Sequence, residues 1–251
     1  MLAAYKISAA GSVGLGLVFS LQGFYATSIG VFTNLSTPIL AGVAAISAAS
    51  ALQKYGEGVR TRSGKVWTSF TAGILLWFLG EVSWSFYSLV LNVQIPYPSV
   101  ADVFYVGGYI PLFFGFYLYV AYFKPAIPRR NITLVVIADL ASAFVVFGLL
   151  LSPVLSVSEE PLVWFFDFAY PLLDLALLTF AILGLTLLVK GNLGRSWLLF
   201  TIGILLNVFA DLLFSYTTAR GGYYIGSLPD FLFLLGYISF GQAFYVHKRG
   251  F

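Results

Sequence analysis

Apolar residues run in long blocks along this chain, and polar residues fall in short clusters between them. The blocks cover residues 8–31, 34–53, 67–91, 101–123, 131–152, 161–189, 196–218 and 228–247. Each is long enough for the roughly 20 helical residues that cross a ~30 Å hydrocarbon layer. None alternates polar with apolar as a barrel strand does, and all are far longer than one. The pattern predicts an all-α polytopic membrane protein with eight transmembrane helices.

Charge sharpens that picture. Hydrophobic residues make up 60% of the chain and charged residues 9%, against roughly 25% charged in soluble domains. With the N-terminus inside, every lysine and arginine except Arg220 falls on the cytoplasmic side, while Glu159 and Glu160 sit on an outer loop. That segregation is what the positive-inside rule requires, and adding or dropping one span would scramble it. Both termini are therefore expected in the cytoplasm and the chain in the cell membrane. Inner-face cations beside anionic headgroups account for the basic pI of 9.0, so membrane lipids and not nucleic acid are the expected partners. The first block follows Lys6 as a signal peptide would, but it is too long and has no convincing small-x-small cleavage site before a mature start. It reads as the first span.

The blocks also repeat. Residues 70–76 read FTAGILL and residues 200–206 read FTIGILL, preceded by Trp67 and Trp197 and followed by Glu81 and Asp211. Downstream, Ser99 and Asp102 match Ser227 and Asp230, Gly108-Tyr109-Ile110 match Gly236-Tyr237-Ile238, and Phe116-Tyr117 match Phe244-Tyr245. An offset near 130, slightly shorter downstream, predicts two copies of one unit, residues 1–125 and 126–251, joined by the inner loop from Lys124 to Arg130. Each copy holds four spans, so both enter the membrane in the same direction. These are parallel repeats, related by an axis along the membrane normal.

Three groups of residues carry candidate chemistry. Asp102 and Asp230 each follow a serine by three positions. That is capping-box spacing, in which the acid reaches back to the N-cap amide, and Pro229 suits the first turn. Glu81, Asp174 and Asp211 lie near mid-membrane in the third, sixth and seventh spans, and Asp139 lies in the fifth. An ionised acid at such depth costs about 2.5–3.5 kcal/mol, so each should face the bundle interior and find partners. No lysine or arginine lies at that depth, which leaves protonation or hydrogen bonds to Tyr109, Tyr237, Ser83, Ser85, Asn207 or Trp84. Two readings stay open: the acids glue each four-helix unit together, or they form a ligand, proton or cation site. The third group is aromatic. Tyr87, Tyr97, Tyr105, Tyr223 and Tyr224 fit an interfacial belt, or the walls of an outward-facing pocket. With no cysteine and the single His247 at an inner helix end, no metal or cofactor is expected.

The motifs resemble a known family. Asp211-Leu-Leu-Phe214, Gly222-Tyr223, Gly226-Ser227, Asp230 and Leu235-Gly236-Tyr237 resemble the eight-span membrane domain found ahead of GGDEF-type diguanylate cyclases and related signalling proteins. So do Gly80-Glu81 with Trp84, Pro96-Tyr97-Pro98-Ser99, Ala101-Asp102, Phe104-Tyr105, Gly108-Tyr109 and Tyr170-Pro171-Leu-Leu-Asp174. The resemblance covers most of residues 67–250 and implies a sensory module. The family's last span leads into a cytoplasmic output domain, whereas this sequence stops at Phe251. The expectation is a stand-alone sensory, receptor-like or accessory membrane subunit that binds a small or lipidic ligand and acts through a separate cytoplasmic partner. Glu81, Asp211, Asp174, Asp139, Trp84, Tyr109 and Tyr237 are its candidate ligand-binding residues. The alternatives are a small transporter using the intramembrane acids and a lysoplasmalogenase-like lipid hydrolase. Against the hydrolase, there is no intramembrane histidine or evident activated nucleophile. A retinal protein is excluded because no lysine lies deep in a span.

Overall fold

The computed structural model describes residues 2–54, 60–123, 128–145, 147–148, 160–187 and 191–250. The expected boundary between the two units, the end of the fifth expected span at 149–152, Glu159, Lys124 and Lys190 lie outside the described residues.

The described residues form eight α-helices and no strand: α1 (Leu2–Ser20), α2 (Ala26–Leu52), α3 (Arg62–Ser85), α4 (Val100–Phe123), α5 (Arg129–Val145), α6 (Pro161–Leu187), α7 (Gly191–Ala219) and α8 (Leu228–Arg249). Five stretches, Ala26–Leu52, Arg62–Val90, Val100–Tyr122, Pro161–Leu185 and Gly194–Thr218, are long and apolar enough to cross a membrane. The 27 residues of α2 reach about 40 Å at 1.5 Å each. The chain is a helical membrane protein, and its surface agrees. Ile39, Ile46, Val103, Ile110, Leu140 and Phe144 stand exposed on the outside while Glu81, Asp102, Asp174 and Asp230 are buried. Water would penalise that distribution, and hydrocarbon favours it.

One boundary differs from expectation. The first block, 8–31, is not a single helix: α1 ends at Ser20, a 3₁₀ turn spans Gln22–Phe24, and α2 starts at Ala26. Gln22-Gly23 weakens the helix, since glycine costs about 1 kcal/mol in a helix interior, and the Tyr25 hydroxyl donates back to the Val18 carbonyl. Thr33, in the expected gap between the first two blocks, lies inside α2 together with Asn34 and Thr37. Thr37 donates to the Thr33 carbonyl at 2.9 Å and Asn34 to the Ser88 hydroxyl at 2.7 Å. Internal bonds let these side chains stay within an apolar helix.

Packing order places the site. α2 packs on α3, α3 on α4, α4 on α6, α6 on α7, α7 on α8 and α8 back on α2, with α1 against α8 and α5 against α6. The ring is drawn tight by glycines. A Cβ on Gly73 would lie 2.4 Å from Leu112, and one on Gly203 would lie 2.4 Å from Phe240. At its centre Phe200 meets Phe70 at 4.9 Å, Phe240 at 5.1 Å and Phe244 at 5.6 Å between ring centroids. All four rings are fully buried. Toward the end that carries Lys65 and Lys248, Trp67 stacks on His247 at 3.5 Å and Trp197 on Tyr119 at 3.8 Å.

Candidate functional site

At the opposite end, the ring opens into a cavity of about 590 Å³ walled by α2, α3, α4, α6, α7 and α8 and by the α3–α4 and α7–α8 loops. On α3, the side chains facing it follow helical spacing: Trp77, Glu81, Trp84, Ser85 and Ser88. The last of these sits in a π-helical turn, Phe86–Val90, that ends the helix. One extra residue in a turn rotates the side chains that follow.

Both capping acids do what their spacing predicts. One oxygen of Asp102 accepts from the Ser99 amide at 2.6 Å and its hydroxyl at 2.9 Å. One oxygen of Asp230 accepts from the amides of Gly226 at 2.8 Å and Ser227 at 3.2 Å. Gly226 holds φ +100, and a Cβ there would sit 2.6 Å from Ile29, so only glycine suits that amide's position. The second oxygens are engaged as well. Tyr170 donates to Asp102 at 2.7 Å and Tyr223 to Asp230 at 3.1 Å. Burial, with the neighbouring Asp230 carboxylate, pushes the Tyr223 phenol well above its ordinary value. A phenolate beside a carboxylate would be doubly disfavoured, so Tyr223 stays a donor.

The mid-span acids find tyrosines too. Tyr237 on α8 donates to Glu81 on α3 at 2.8 Å, and Tyr109 on α4 donates to Asp174 on α6. Tyr105 is a second hydrogen-bond partner of Glu81. The other Asp174 oxygen has no N–H or hydroxyl donor among the described residues and meets the Asp211 carboxyl instead. These bonds do not hold each set of four helices together, as the glue reading expects. Tyr237–Glu81, Tyr109–Asp174 and Tyr170–Asp102 all tie helices of residues 62–123 to helices of residues 161–249, because the ring places α3 near α8 and α4 beside α6.

Five of the seven candidate residues, Glu81, Trp84, Tyr109, Asp211 and Tyr237, line the cavity. Asp174 stands directly behind Asp211 and is fully buried. Asp139 is elsewhere: it faces α6 from α5 and accepts from Thr179. Its helix packs on the outside of the ring, so its depth in the sequence does not bring it to the cavity. Among the other expected partners, Ser83 donates to the Leu79 carbonyl at 2.8 Å and Asn207 to the Gly203 carbonyl at 2.9 Å, not to an acid. Tyr97, Tyr105, Tyr223 and Tyr224 line the cavity, matching the pocket reading, whereas Tyr87 does not.

Sequence reasoning missed Thr33, Asn34, Asp167 and Tyr170, which also line it. Asp167 accepts from Tyr97 at 2.7 Å, tethering the α3–α4 loop to the start of α6. The Thr33 and Ser85 hydroxyls are buried on the cavity wall with no hydrogen-bond partner among the described residues. A polar cluster in an otherwise apolar span was the available signal. Among the described residues no group of three histidine, cysteine or acidic side chains is placed to hold a metal ion.

Fold and cavity together define a helical membrane protein with an acidic, aromatic pocket at one end of its bundle. No family model, curated protein or solved structure matches this chain.

Proposed function

We propose that this protein is an eight-span membrane receptor in the cell membrane. It is built from two parallel four-helix repeats with both termini cytoplasmic, and it holds a small ligand in the cavity at its outer end. Occupancy is passed to a separate cytoplasmic partner, as the resemblance to sensory membrane domains implies. One observation carries the reading. A cavity of about 590 Å³, within the ~300–1,000 Å³ typical of ligand pockets, has buried Thr33 and Ser85 hydroxyls on its wall with no hydrogen-bond partner among the described residues. Buried hydroxyls left without partners cost free energy, which a ligand recovers.

Two features support the repeat. Exchanging α2, α3 and α4 with α6, α7 and α8 maps the packing order of the ring onto itself. Matched residues also make matched contacts: Trp67–Phe244 and Trp197–Phe116 both lie at 5.6 Å.

The floor of the cavity favours a receptor over a transporter. Its deepest lining residue on α3 is Trp77, and inward of it the axis is filled by the buried Ile74, Phe70, Ile204, Phe200 and Phe240. A polar path for ions would have to cross that plug. The lipid-hydrolase reading lacks a histidine at the cavity: His247 lies ten residues inward of Tyr237 on α8, about 15 Å along the helix.

The chain has no cysteine, so single cysteines report topology without background. Ser85→Cys and Thr218→Cys should react with a membrane-impermeant maleimide from outside intact cells, and Arg249→Cys only after permeabilisation. Labelling of all three solely after permeabilisation would overturn the receptor orientation.

A further inference from the structure

We propose that the ligand is an organic cation, an ammonium group on an aromatic or aliphatic body, whose charge is held by Asp211. The inference rests on the receptor reading above and adds the chemistry of its ligand.

Among the described residues five carboxyl groups line the cavity, Glu81, Asp102, Asp167, Asp211 and Asp230, and no lysine, arginine or histidine does. The field inside therefore attracts positive charge and repels anions. Most of these acids are already engaged. Asp102 and Asp230 each use both oxygens, on a helix cap and a tyrosine. Asp167 holds Tyr97, and Glu81 is held by Tyr237 and Tyr105. Asp211 differs. It is half-buried on the cavity wall, and its one described side-chain hydrogen-bond partner is another carboxyl, Asp174. An ammonium group placed there supplies the N–H donors that the described residues do not.

The rest of the cavity suits the rest of such a molecule. Trp84, Tyr105, Phe214 and Phe233 offer ring faces and edges, and an alkylammonium over an aromatic face is attracted by the ring's negative face. The unpartnered hydroxyls of Thr33 and Ser85 accept further N–H donors or bond a hydroxyl on the ligand. A bare metal ion fits poorly. The cavity is far larger than an ion, and the described side chains form no cluster of metal-ligand geometry.

The test is calorimetry on the intact protein in lipid nanodiscs with compounds matched in shape. The probes are 2-phenylethylamine and phenethyltrimethylammonium as cations, 2-phenylethanol as the neutral isostere and 3-phenylpropionate as the anion. 2-Phenylethylamine should bind about tenfold or more tightly than the alcohol, because its N–H groups make charge-assisted hydrogen bonds to Asp211, and phenethyltrimethylammonium, which has no N–H, should exceed the alcohol by less. The carboxylate should not bind. Asp211→Asn should lose about tenfold of the cation affinity, and Asp139→Asn, outside the cavity, should not.

Equal binding of the alcohol, binding of the carboxylate, or no binding of either cation overturns the cation assignment. If Asp211→Asn fails to fold, the comparison among ligands on the unaltered protein still decides. Labelling of Ser85→Cys separates the two ideas. A cavity reachable from outside that takes no cation refutes the ligand class alone, whereas one unreachable from outside refutes the receptor reading itself.

Discussion

Replacing Tyr237 by phenylalanine removes one oxygen from the structure and nothing else. Its hydroxyl donates to Glu81 at 2.8 Å, and the two residues are 2% and 7% exposed. The ring stays in place against Phe240, with centroids 6.3 Å apart. In a soluble core, a bond to a charged group is worth ~1.5–3 kcal/mol. Between membrane helices such bonds average about 0.6 and reach about 1.7 kcal/mol, because helices separated in the bilayer also find partners. Glu81 keeps Tyr105 as a second partner, so the carboxyl is not orphaned. Tyr237→Phe should therefore destabilise the protein by about 1–1.5 kcal/mol, within that range. Glu81→Gln should cost about as much or less, since the amide oxygen still accepts. The double variant should be little worse than either single one, with a coupling of about 0.6–1.7 kcal/mol. Reversible unfolding of the four proteins in mixed micelles by titration with sodium dodecyl sulfate closes the cycle. A coupling below about 0.3 kcal/mol, the scatter of independent sites, would mean that this contact does not join α3 to α8.

Phe200→Ala empties the centre of the aromatic seam and should cost about 3–5 kcal/mol in the same assay. Phe200→Leu should cost clearly less. Gly203→Ala drives a Cβ to 2.4 Å from Phe240 and should cost about 1–3 kcal/mol by overpacking, with α7 and α8 forced apart. Asp230→Ala removes the acceptor for the Gly226 and Ser227 amides and should cost about 1 kcal/mol, visible as faster amide exchange in the first turn of α8. Tyr97→Phe frees the α3–α4 loop from Asp167, and maleimide labelling of Ser85→Cys should then speed up in proportion to the loop's added opening. An unchanged labelling rate would show that this loop does not limit access.

The acids show how far pattern reading reaches. Glu81, Asp174 and Asp211 stand out because charge in an apolar run demands an interior partner, and each is indeed turned inward. Tyr109 and Tyr237 are correctly chosen as partners, but which tyrosine meets which acid depends on helix order. Asp139 has the same sequence signature and ends up outside the cavity, because depth along a helix says nothing about which neighbour the helix has. Thr33 misleads in the opposite way. It falls in the expected gap between the first two blocks, and the fold buries it in α2 on the cavity wall beside Asn34, which bonds across to Ser88.

What the sequence alone determined is the solvent and the local chemistry: long apolar runs, the inward pull on lone acids, and serine–aspartate spacing that caps a helix. These follow from free energies that act within one helix or between a helix and the bilayer. The tertiary structure alone decided that α4 lies on α6 and α2 on α8, that the tyrosine–acid bonds run across that ring, and that an acidic aromatic cavity opens where they meet. Helices in hydrocarbon choose neighbours by close packing of small and aromatic side chains, and that choice depends on shapes from distant parts of the chain brought together in space.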